Sequence, residues 1–415
     1  MESENRVDTV DKSRRITFDI LLRALKSGSA FRQVTRLNPA GGSGDKVFPP
    51  TYAEGKYAYE TRRTENGMTT RTVLLDSVQS QANRMESALL DAVRNRSINL
   101  PLLYVDFGRE FSDVGKVSTL ETPHRIADAL FRESNLDGKK FRDTDIGRAF
   151  IGASIRDATG LFQYCPHALT FGQWDSTGPT GMGNKFQRTI VSEIIGINAQ
   201  GGAQTSSRID PVLHSNPDLY ETADGGWTAN PEEAITEKGK PKRYKKKVSE
   251  MNLGNIVPTV KELGGGVTID YALQTTVISL PAIRRLHFPL GGKENDEINT
   301  KARGVVLAMG IAGMAHASEQ GYDLRSRCLL LPDGDSPIEL ISANGSAERF
   351  YLDSAAADQV LNRAIAEAKQ AGLPWMDGDI ILKPDSRLLG LIRKSRSLLS
   401  AESDGTPLDP DATEE

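Results

Sequence analysis

The sequence contains little that would cross-link a protein, bind a metal or anchor it in a membrane. Its 415 residues include two cysteines, Cys165 and Cys328, neither in a Cys-x-x-Cys context, so no disulfide framework or cysteine-rich zinc site is predicted. The five histidines show no His-x-x-x-His spacing. The first fifteen residues lack the apolar core of a signal peptide, and no apolar run approaches the roughly 20 residues of a membrane helix. We therefore expect a cytoplasmic protein with no metal, cofactor or membrane partner.

Positive charge is also scarce overall, but it is unevenly distributed. The formal net charge is −4, and residues 401–415 carry six acids and no base, so residues 1–400 come to −4 + 6 = +2. We interpret 401–415 as an acidic disordered tail. From Lys238 to Lys247, seven of ten residues are Lys or Arg. Like charges at this density cannot pack in a core, so this segment is predicted to be exposed.

Helical and strand patterns alternate along the chain without an internal repeat, which predicts an α+β fold. The clearest helix is predicted over 76–95, where Val78, Ala82, Met85 and Leu89 share one stripe. Further helices are predicted over 122–134, 299–321 and 354–372, and strands over 31–37, 101–108, 160–172 (interrupted by Pro166), 267–274 and 324–332.

A glycine-rich stretch, FGQWDSTGPTGMGNKFQRTIVSEIIG (171–196), raises the question of nucleotide binding. It fails the P-loop pattern, because Asn184 stands where lysine is required, and it lacks the third glycine of a dinucleotide-binding loop. We interpret it as a loop that holds a phosphate through backbone N–H groups, a following helix and the charges of Lys185 and Arg188. An ordinary connection before a buried helix is the alternative.

Enzyme signatures are sparse elsewhere. There is no Gly-x-Ser-x-Gly elbow, and the carboxylate pair of Asp106 and Glu110 is too common a feature to indicate general acid–base chemistry. No catalytic residue is predicted.

Ten blocks in one order carry a family resemblance. They are GDKVFPPTYAEG, LLDSVQSQANRMESALL, TPHRIADA, FGQWDSTG, KFQRTIVSEIIG, SRIDPV, GNIVP, GGGVTID, SLPAIRRLHFP and LRSRC. Over about residues 34–395 the chain resembles the backbone subunit of type I-G (formerly I-U) CRISPR effector complexes (Cascade), a branch of the RAMP superfamily.

The resemblance implies a modified RRM (ferredoxin-like) palm with a helical insertion and a protruding thumb hairpin. The implied organisation is a polar segment (1–28), the palm (29–400) with a thumb or mobile basic loop at about 210–262, and the tail (401–415). The implied partners are CRISPR guide RNA, target DNA reached through the guide, further copies of the subunit, other effector subunits and a recruited helicase-nuclease.

Carried onto this sequence, the resemblance implies an RNA cradle of basic, amide and hydroxyl side chains. These are Lys46, Gln79, Gln81, Asn83, Arg84, His124, Arg125, Ser176, Thr177, Lys185, Arg188, Arg208, Lys242, Arg243, Lys245, Lys246, Lys247, Arg325 and Arg327. Arg325 and Arg327 could equally be core ion pairs, and structural roles are favoured for Arg284 and Arg285. The aromatic RNP1 signature is missing, so backbone binding is predicted in place of base stacking on the sheet.

Two other functions stay open. One is a metal-dependent RAMP ribonuclease, which would cleave RNA with magnesium through a single aspartate. The other is a general single-strand-binding protein, which would purify without a defined RNA.

Overall fold

The computed structural model describes residues 14–63, 67–178, 185–262 and 264–403, with side chains up to residue 398. The chain forms two compact units, Met1–Gln200 with Val267–Leu388, and Gly201–Gly266 with Leu389–Glu415. The predicted insertion at about 210–262 lies inside the second unit. The helices are α1 (Phe18–Ser27), α2 (Val78–Arg94), α3 (Ala129–Arg132), α4 (Asp145–Gly152), α5 (Thr159–Tyr164), α6 (His167–Phe171), α7 (Leu280–Arg284), α8 (Asp296–Glu319), α9 (Ser354–Gln370) and α10 (Ser386–Ser403).

The strands are numbered along the whole chain. They are β1 (Gly28–Pro39), β2 (Tyr59–Arg63), β3 (Thr69–Asp76), β4 (Leu102–Asp106), β5 (Lys116–Ser118), β6 (Ser134–Leu136), β7 (Lys139–Lys140), β8 (Gln173–Trp174), β9 (Lys185–Phe186), β10 (Ile190–Ile197), β11 (Gln200–Gly201), β12 (Gln204–Arg208), β13 (Tyr220–Glu221), β14 (Trp227–Thr228), β15 (Thr236–Glu237), β16 (Lys240–Pro241), β17 (Ile256–Lys261), β18 (Val267–Thr268), β19 (Tyr271–Ser279), β20 (Tyr322–Arg325), β21 (Cys328–Pro332), β22 (Ile338–Ser342), β23 (Ala347–Phe350) and β24 (Asp379–Pro384).

The main sheet of the first unit is antiparallel and runs β2-β3-β10-β19-β1-β21-β20, with β22 also paired to β1. Six elements of this unit occur along the chain in the order β1, α2, β10, β19, α8 and β22. Their four strands lie side by side in the sheet as β22, β1, β19 and β10. Counted along the chain, these are the fourth, first, third and second strands. This is the βαββαβ arrangement of a ferredoxin-like domain. The predicted α+β palm fold is therefore confirmed. A second sheet of this unit runs β5-β4-β24-β6-β7.

Two helices cover one face of the sheet, and both were predicted from their sequence pattern. Helix α2 begins at an N-cap, Ser77, whose hydroxyl accepts a hydrogen bond from the Ser80 N–H, and it buries Ala82, Met85 and Leu89. Helix α8 is rich in small residues. A Cβ atom at Gly313 would lie 3.3 Å from the Met85 Cβ, so glycine here lets the two helices approach closely.

Several elements differ from the sequence predictions. The stretch 160–172 forms helices α5 and α6 where a strand was predicted, because an apolar run that is buried on every side carries no readable period. The segment after the glycine-rich loop is strand β10, in the middle of the sheet, where a helix was predicted. No helix N-terminus therefore follows that loop.

Three further boundaries shift. Residues 324–332 form the hairpin β20–β21, which turns at Arg327 with a positive φ of 61°. Residues 122–134 contain a 3-10 turn and the short α3 in place of one helix. Helix α1 lies within the stretch assigned as a polar segment, and it buries Phe18, Leu21 and Leu25.

The second unit is built from short ladders. Strands β12 and β17 pair antiparallel, and the side chains of both are mostly exposed. Strands β13 and β14 pair with each other, as do β15 and β16. Leu219 and Val248 are among the few buried apolar residues here. In the described parts of the chain, no helix has the length and apolarity to cross a membrane.

Asp76, at the end of β3, is a buried acceptor that links three parts of the first unit. Its Oδ2 accepts hydrogen bonds from Gln81 Nε2 at 2.6 Å and from Arg84 Nε at 3.0 Å. Its Oδ1 accepts from Ser80 Oγ at 2.8 Å and from Arg325 Nη2 at 3.2 Å. Arg84 also donates to the Leu324 carbonyl at 2.7 Å. The carboxylate thus ties α2 and hairpin β20–β21 to β3.

We predict that Asp76→Ala lowers the free energy of unfolding by about 3 kcal/mol, because it leaves two partly buried guanidinium groups without their acceptor. Urea denaturation measures the change. Asp323→Ala is the control, since this neighbouring acid has an exposed side chain and should change stability by less than about 0.5 kcal/mol. Equal effects of the two substitutions would contradict the assignment.

A histidine–aspartate pair joins α8 to α9. His316 Nε2 lies 2.7 Å from Asp358 Oδ1, and this hydrogen bond raises the pKa of His316 above its ordinary value. The folded state therefore holds the proton more tightly than the unfolded chain. The resulting stabilisation is complete below the ordinary histidine pKa of about 6.5 and is lost as the pH rises through the raised folded value.

We expect the free energy of unfolding to fall between pH 6 and pH 8.5 by more in the parent chain than in His316→Gln. Urea denaturation at the two pH values measures both differences. Parallel pH dependences in the two proteins would show that the pair is not charged in the folded state.

Candidate nucleic-acid interface

A cleft of about 450 Å³ opens in the first unit beside α2. Four segments of the chain form its walls: the start of α2, the turn at 123–125, the stretch 171–174 and the stretch 185–188. Its lining residues are Gln79, Ala82, Asn83, Pro123, His124, Arg125, Phe171, Gly172, Gln173, Trp174, Lys185, Phe186 and Arg188. Six of the residues predicted to bind RNA, Gln79, Asn83, His124, Arg125, Lys185 and Arg188, therefore meet here.

The floor of the cleft is a buried ion pair. Arg125 donates from Nε and Nη2 to the two carboxylate oxygens of Glu86, at 2.6 and 2.7 Å, and from Nη1 to the Gly172 carbonyl at 2.6 Å. Burial raises the pKa of Glu86 to about 7, and the charge of Arg125 opposes this shift. Arg125 is thus held inside the protein, and its donors are engaged there.

Gly172 permits the close approach of the cleft walls. Its φ is +79°, and a Cβ atom at this position would lie 2.8 Å from the Arg188 backbone nitrogen. Any other residue would combine backbone strain with a steric clash. The stretch 171–174 can therefore pass directly against 186–188.

Arg188 is a half-buried cation of the cleft. Among the described residues, its guanidinium group forms no hydrogen bond or ion pair. Burial, and then the charge of Arg125, lower the pKa of Arg188, while Glu86 opposes the shift. Because Glu86 is already paired with Arg125, the region around Arg188 has an excess of positive charge that favours an anion.

Lys185 and Trp174 stand at the rim of the cleft. They pair through β8 and β9, and the Lys185 Nζ lies 5.8 Å from the centroid of the Trp174 ring. Trp174 is 61% exposed. An ammonium group and a large exposed ring therefore border the same opening.

The loop that follows Trp174 is held in place by a buried aspartate. Asp175 accepts hydrogen bonds from the Thr177 N–H at 2.9 Å, the Thr177 hydroxyl at 2.8 Å and Arg142 at 2.8 Å. Arg132 also donates to the Thr177 hydroxyl, at 3.1 Å. Ser176 and Thr177 are both exposed. Residues 179–184 of the predicted phosphate loop lie outside the described residues.

Other predicted contacts lie away from the cleft. Gln81 is buried, and its amide donates to Asp76 and accepts from Ser192 and Gln274. Arg84 and Arg325 both bond to Asp76, so each guanidinium group has an acidic partner inside the fold.

Lys46, Arg325 and Arg327 lie near the segment that contains Phe48. The Lys46 side chain is partly exposed, and Arg325 donates to the Phe48 carbonyl. The guanidinium of Arg327 stacks on the Phe48 ring at 4.1 Å. Arg284 donates to the carbonyls of Leu25 and Gly28, which is a structural role, whereas Arg285 is exposed.

The basic segment of the second unit is partly compensated. Lys242 pairs with Glu221 at 3.0 Å and Arg243 with Asp218 at 2.9 Å. Lys245, Lys246 and Lys247 are exposed, as predicted. Arg208 donates to the carbonyls of Leu253 and Gly254 within this unit.

Two cleft residues escaped the sequence prediction. Gln173 is 6% exposed, and both atoms of its amide lack a hydrogen-bond partner among the described residues. Trp174 follows Gln173 directly. The sequence signal that could have indicated Trp174 is a tryptophan within a glycine-rich stretch.

A cysteine–histidine pair looks like a nucleophile and its base but is buried. Cys165 Sγ lies 3.2 Å from His167 Nε2. Burial raises the pKa of Cys165 to about 12 and lowers that of His167 to about 3, so the pair is a neutral thiol and a neutral imidazole. No group of three or more His, Cys, Asp or Glu side chains in the described ranges could hold a metal ion.

The fold and the cleft define an α+β, ferredoxin-like protein with a cation-bearing surface site. Residues 31–201 match the sequence model of a family described as CRISPR-associated protein GSU0053. This stretch of the chain is therefore similar to a CRISPR-associated protein family, in agreement with the resemblance. No curated protein matches the chain.

We predict opposite effects for the two arginines of the cleft. Arg125→Ala should lower the free energy of unfolding by about 3–5 kcal/mol, because it leaves Glu86 buried without its partner. Arg188→Ala should be neutral or slightly stabilising, because it removes a cation that lies close to Arg125. Urea denaturation of both variants tests this, and a comparable loss in Arg188→Ala would show that this side chain is structural.

Proposed function

We propose that the protein is the CRISPR RNA-binding backbone subunit of a type I-G antiviral effector complex. In this role, copies of the chain line up along the spacer of the guide RNA and present it for pairing with target DNA. The supporting observation is the cleft, where Lys185 and the unpartnered Arg188 meet amide and imidazole side chains on one surface. The family match supports the CRISPR context.

The charges of the cleft suit phosphate groups. A half-buried guanidinium without a carboxylate partner forms strong charge-assisted hydrogen bonds to phosphate oxygens. Gln79, Asn83 and His124 can donate to the same backbone. Contacts of this kind supply affinity without selecting a sequence, which suits a spacer of arbitrary sequence whose recognition belongs to base pairing.

The exposed face of the sheet is not arranged for reading a run of bases. Strand β1 presents Arg32, Val34 and Arg36 to solvent, and Arg36 covers the ring of Tyr271 at 3.9 Å. RRM domains that read single strands place exposed aromatic rings on this face. We therefore assign RNA binding to the cleft and to the exposed lysines Lys245, Lys246 and Lys247.

The remaining features of the proposal follow from the resemblance. The subunit is cytoplasmic and contacts its own copies, other effector subunits and a recruited helicase-nuclease. It is non-catalytic, and DNA cutting belongs to that nuclease. Among the predicted cradle residues, Gln81, Arg84, Arg125, Arg208 and Arg325 are reassigned to positioning roles, because their polar groups bond within the protein.

We predict that Lys185→Ala/Arg188→Ala weakens binding of single-stranded RNA by about 1–3 kcal/mol per lost contact. If both cations contact phosphates, the slope of log K against log salt should become shallower by about 1.4, at roughly 0.7 per contact on a single strand. Fluorescence anisotropy at several salt concentrations measures both quantities. Because many copies share one RNA, the assembled complex should lose its guide RNA on purification.

The control is Lys26→Ala/Lys293→Ala, which removes the same charge from exposed positions outside the cleft. The control variant should bind RNA with the same affinity and the same salt dependence as the parent chain. Equal losses of RNA affinity in the two double variants would show that the effect comes from the change in net charge and not from the cleft. Magnesium-dependent cleavage of the RNA by the parent chain would instead favour the ribonuclease function.

A further inference from the structure

The second unit contains an apolar groove of about 550 Å³ that the proposed function does not use. Of the described residues that line this groove, only Asp210 and Asn252 are polar. The side chains of Val212, Trp227 and Leu253 line it and are 76%, 47% and 41% exposed. A contiguous apolar surface that stays open to solvent marks a site for a partner or for another segment of the chain.

The one acid of the groove is already engaged. The carboxylate of Asp210 accepts hydrogen bonds from the backbone N–H groups of Val212, Leu213 and Gly254, at 2.9, 2.8 and 2.6 Å. Its charge therefore stabilises the wall of the groove and is balanced there by backbone donors.

The basic segment of this unit borders the groove. The Tyr244 N–H donates to the carbonyl of Leu219, a lining residue, at 2.8 Å. Lys247 is the N-cap of the 3-10 turn Val248–Met251, and both ends of that turn line the groove. Lys246 and Lys247 are exposed. A ligand that fits this surface must therefore supply a large apolar side chain close to negative charge.

The C-terminal end of the chain has this composition. Residues 404–415, DGTPLDPDATEE, lie outside the described residues and contain five acids, no base and a single large apolar residue, Leu408. Asp409 and Asp411 follow Leu408 closely. The groove and the last helix from Leu389 onward belong to the same unit, and twelve residues span at most roughly 40 Å. The tail therefore leaves from the unit that carries the groove.

We infer that this acidic tail docks on the groove of its own chain, with Leu408 in the groove and its carboxylates on Lys246 and Lys247. The consequence rests on the proposed function, because the tail then competes with RNA for the same lysines. Since the tail is tethered, its effective concentration is high even where the contact is weak. The docked tail keeps the free subunit from unrelated RNA, and a guide RNA that also occupies the cleft displaces it.

The docking is tested first without RNA. A labelled peptide of residues 404–415 is titrated with full-length Leu408→Ser, whose own tail lacks its apolar anchor, and fluorescence anisotropy measures binding. The peptide should bind, with an affinity that falls as salt rises. Leu253→Ser in the protein and Leu408→Ser in the peptide should each weaken binding by at least about tenfold, since each removes one side of the apolar contact.

Val260→Ser is the matched control, because Val260 is an exposed apolar residue of the same unit that does not line the groove. It should leave the affinity for the peptide unchanged. Lys246→Ala/Lys247→Ala should weaken binding and reduce its dependence on salt, whereas Lys26→Ala/Lys293→Ala should do neither. Absence of peptide binding, or equal effects of Leu253→Ser and Val260→Ser, would overturn the docking.

The competition is then measured with single-stranded RNA and the full-length chain. Leu408→Ser leaves the net charge unchanged and should raise the RNA affinity about fivefold at low salt, which is the factor expected if the tail occupies the lysines for about four-fifths of the time. In the Lys246→Ala/Lys247→Ala background the same substitution should produce no gain, because the shared site is gone.

The two proposals fail in different ways. Binding of the peptide without a gain of RNA affinity in Leu408→Ser would overturn the competition and leave RNA binding by the cleft intact. Unchanged RNA affinity in Lys185→Ala/Arg188→Ala would overturn the proposed function and leave the docking of the tail intact. A smaller sedimentation coefficient of Leu408→Ser than of the parent chain would overturn docking within one chain and assign the groove to the tail of a second copy.

Discussion

The bidentate contact between Arg125 and Glu86 is the interaction on which the cleft depends. It joins α2 to the turn at 123–125, and through the Gly172 carbonyl it joins both to the segment that carries Trp174. Arg125 holds a positive φ of 52° to reach these partners. Because neither charge can remain buried alone, three of the four walls of the cleft are fixed by one pair.

Counting basic residues is a poor guide to where a polyanion binds, because a cation matters only when the fold leaves its charge uncompensated. Arg84 and Arg325 lie in family-like blocks, yet both guanidinium groups bond to the buried Asp76, which holds them inside the fold. Arg188 is equally basic, but Glu86, the acid whose charge acts on it, is engaged by Arg125. A near-neutral chain can therefore present a local site for phosphate, since the net charge says nothing about pairing.

Elements with a clear period were predictable, and uniformly buried ones were not. Helix α2 shows one apolar stripe, so its type followed from the sequence, and the predicted bounds of 76–95 lie within two residues of the observed ones. The segment IVSEIIG (190–196) carries apolar residues at most positions because, as β10, it lies between two other strands, and no pattern distinguishes this from a buried helix. The ferredoxin-like strand order was predicted only through the family resemblance, since pairings between distant segments leave no local signal.

The candidate site was predicted only in part, because contacts between distant segments leave no local signal in the sequence. The block order brought Gln79, Asn83, His124, Lys185 and Arg188 together, but the internal roles of Gln81 and Arg125 depend on Asp76 and Glu86, which no charge count selects. The missing partners of Gln173 are a property of the packed structure alone.

All residues that line the cleft fall inside the family match at 31–201, whereas β19, α8 and β22 lie outside it. The match therefore covers the site but only half of the βαββαβ palm, and the structure supplies the other half. The two proposed RNA-binding regions, the cleft and the lysines at 245–247, therefore differ in how well they are supported. The cleft is supported by the family match, by its geometry and by the uncompensated charge of Arg188. The lysines at 245–247 have only exposure and charge, so the cleft is the part of the protein that carries the functional argument.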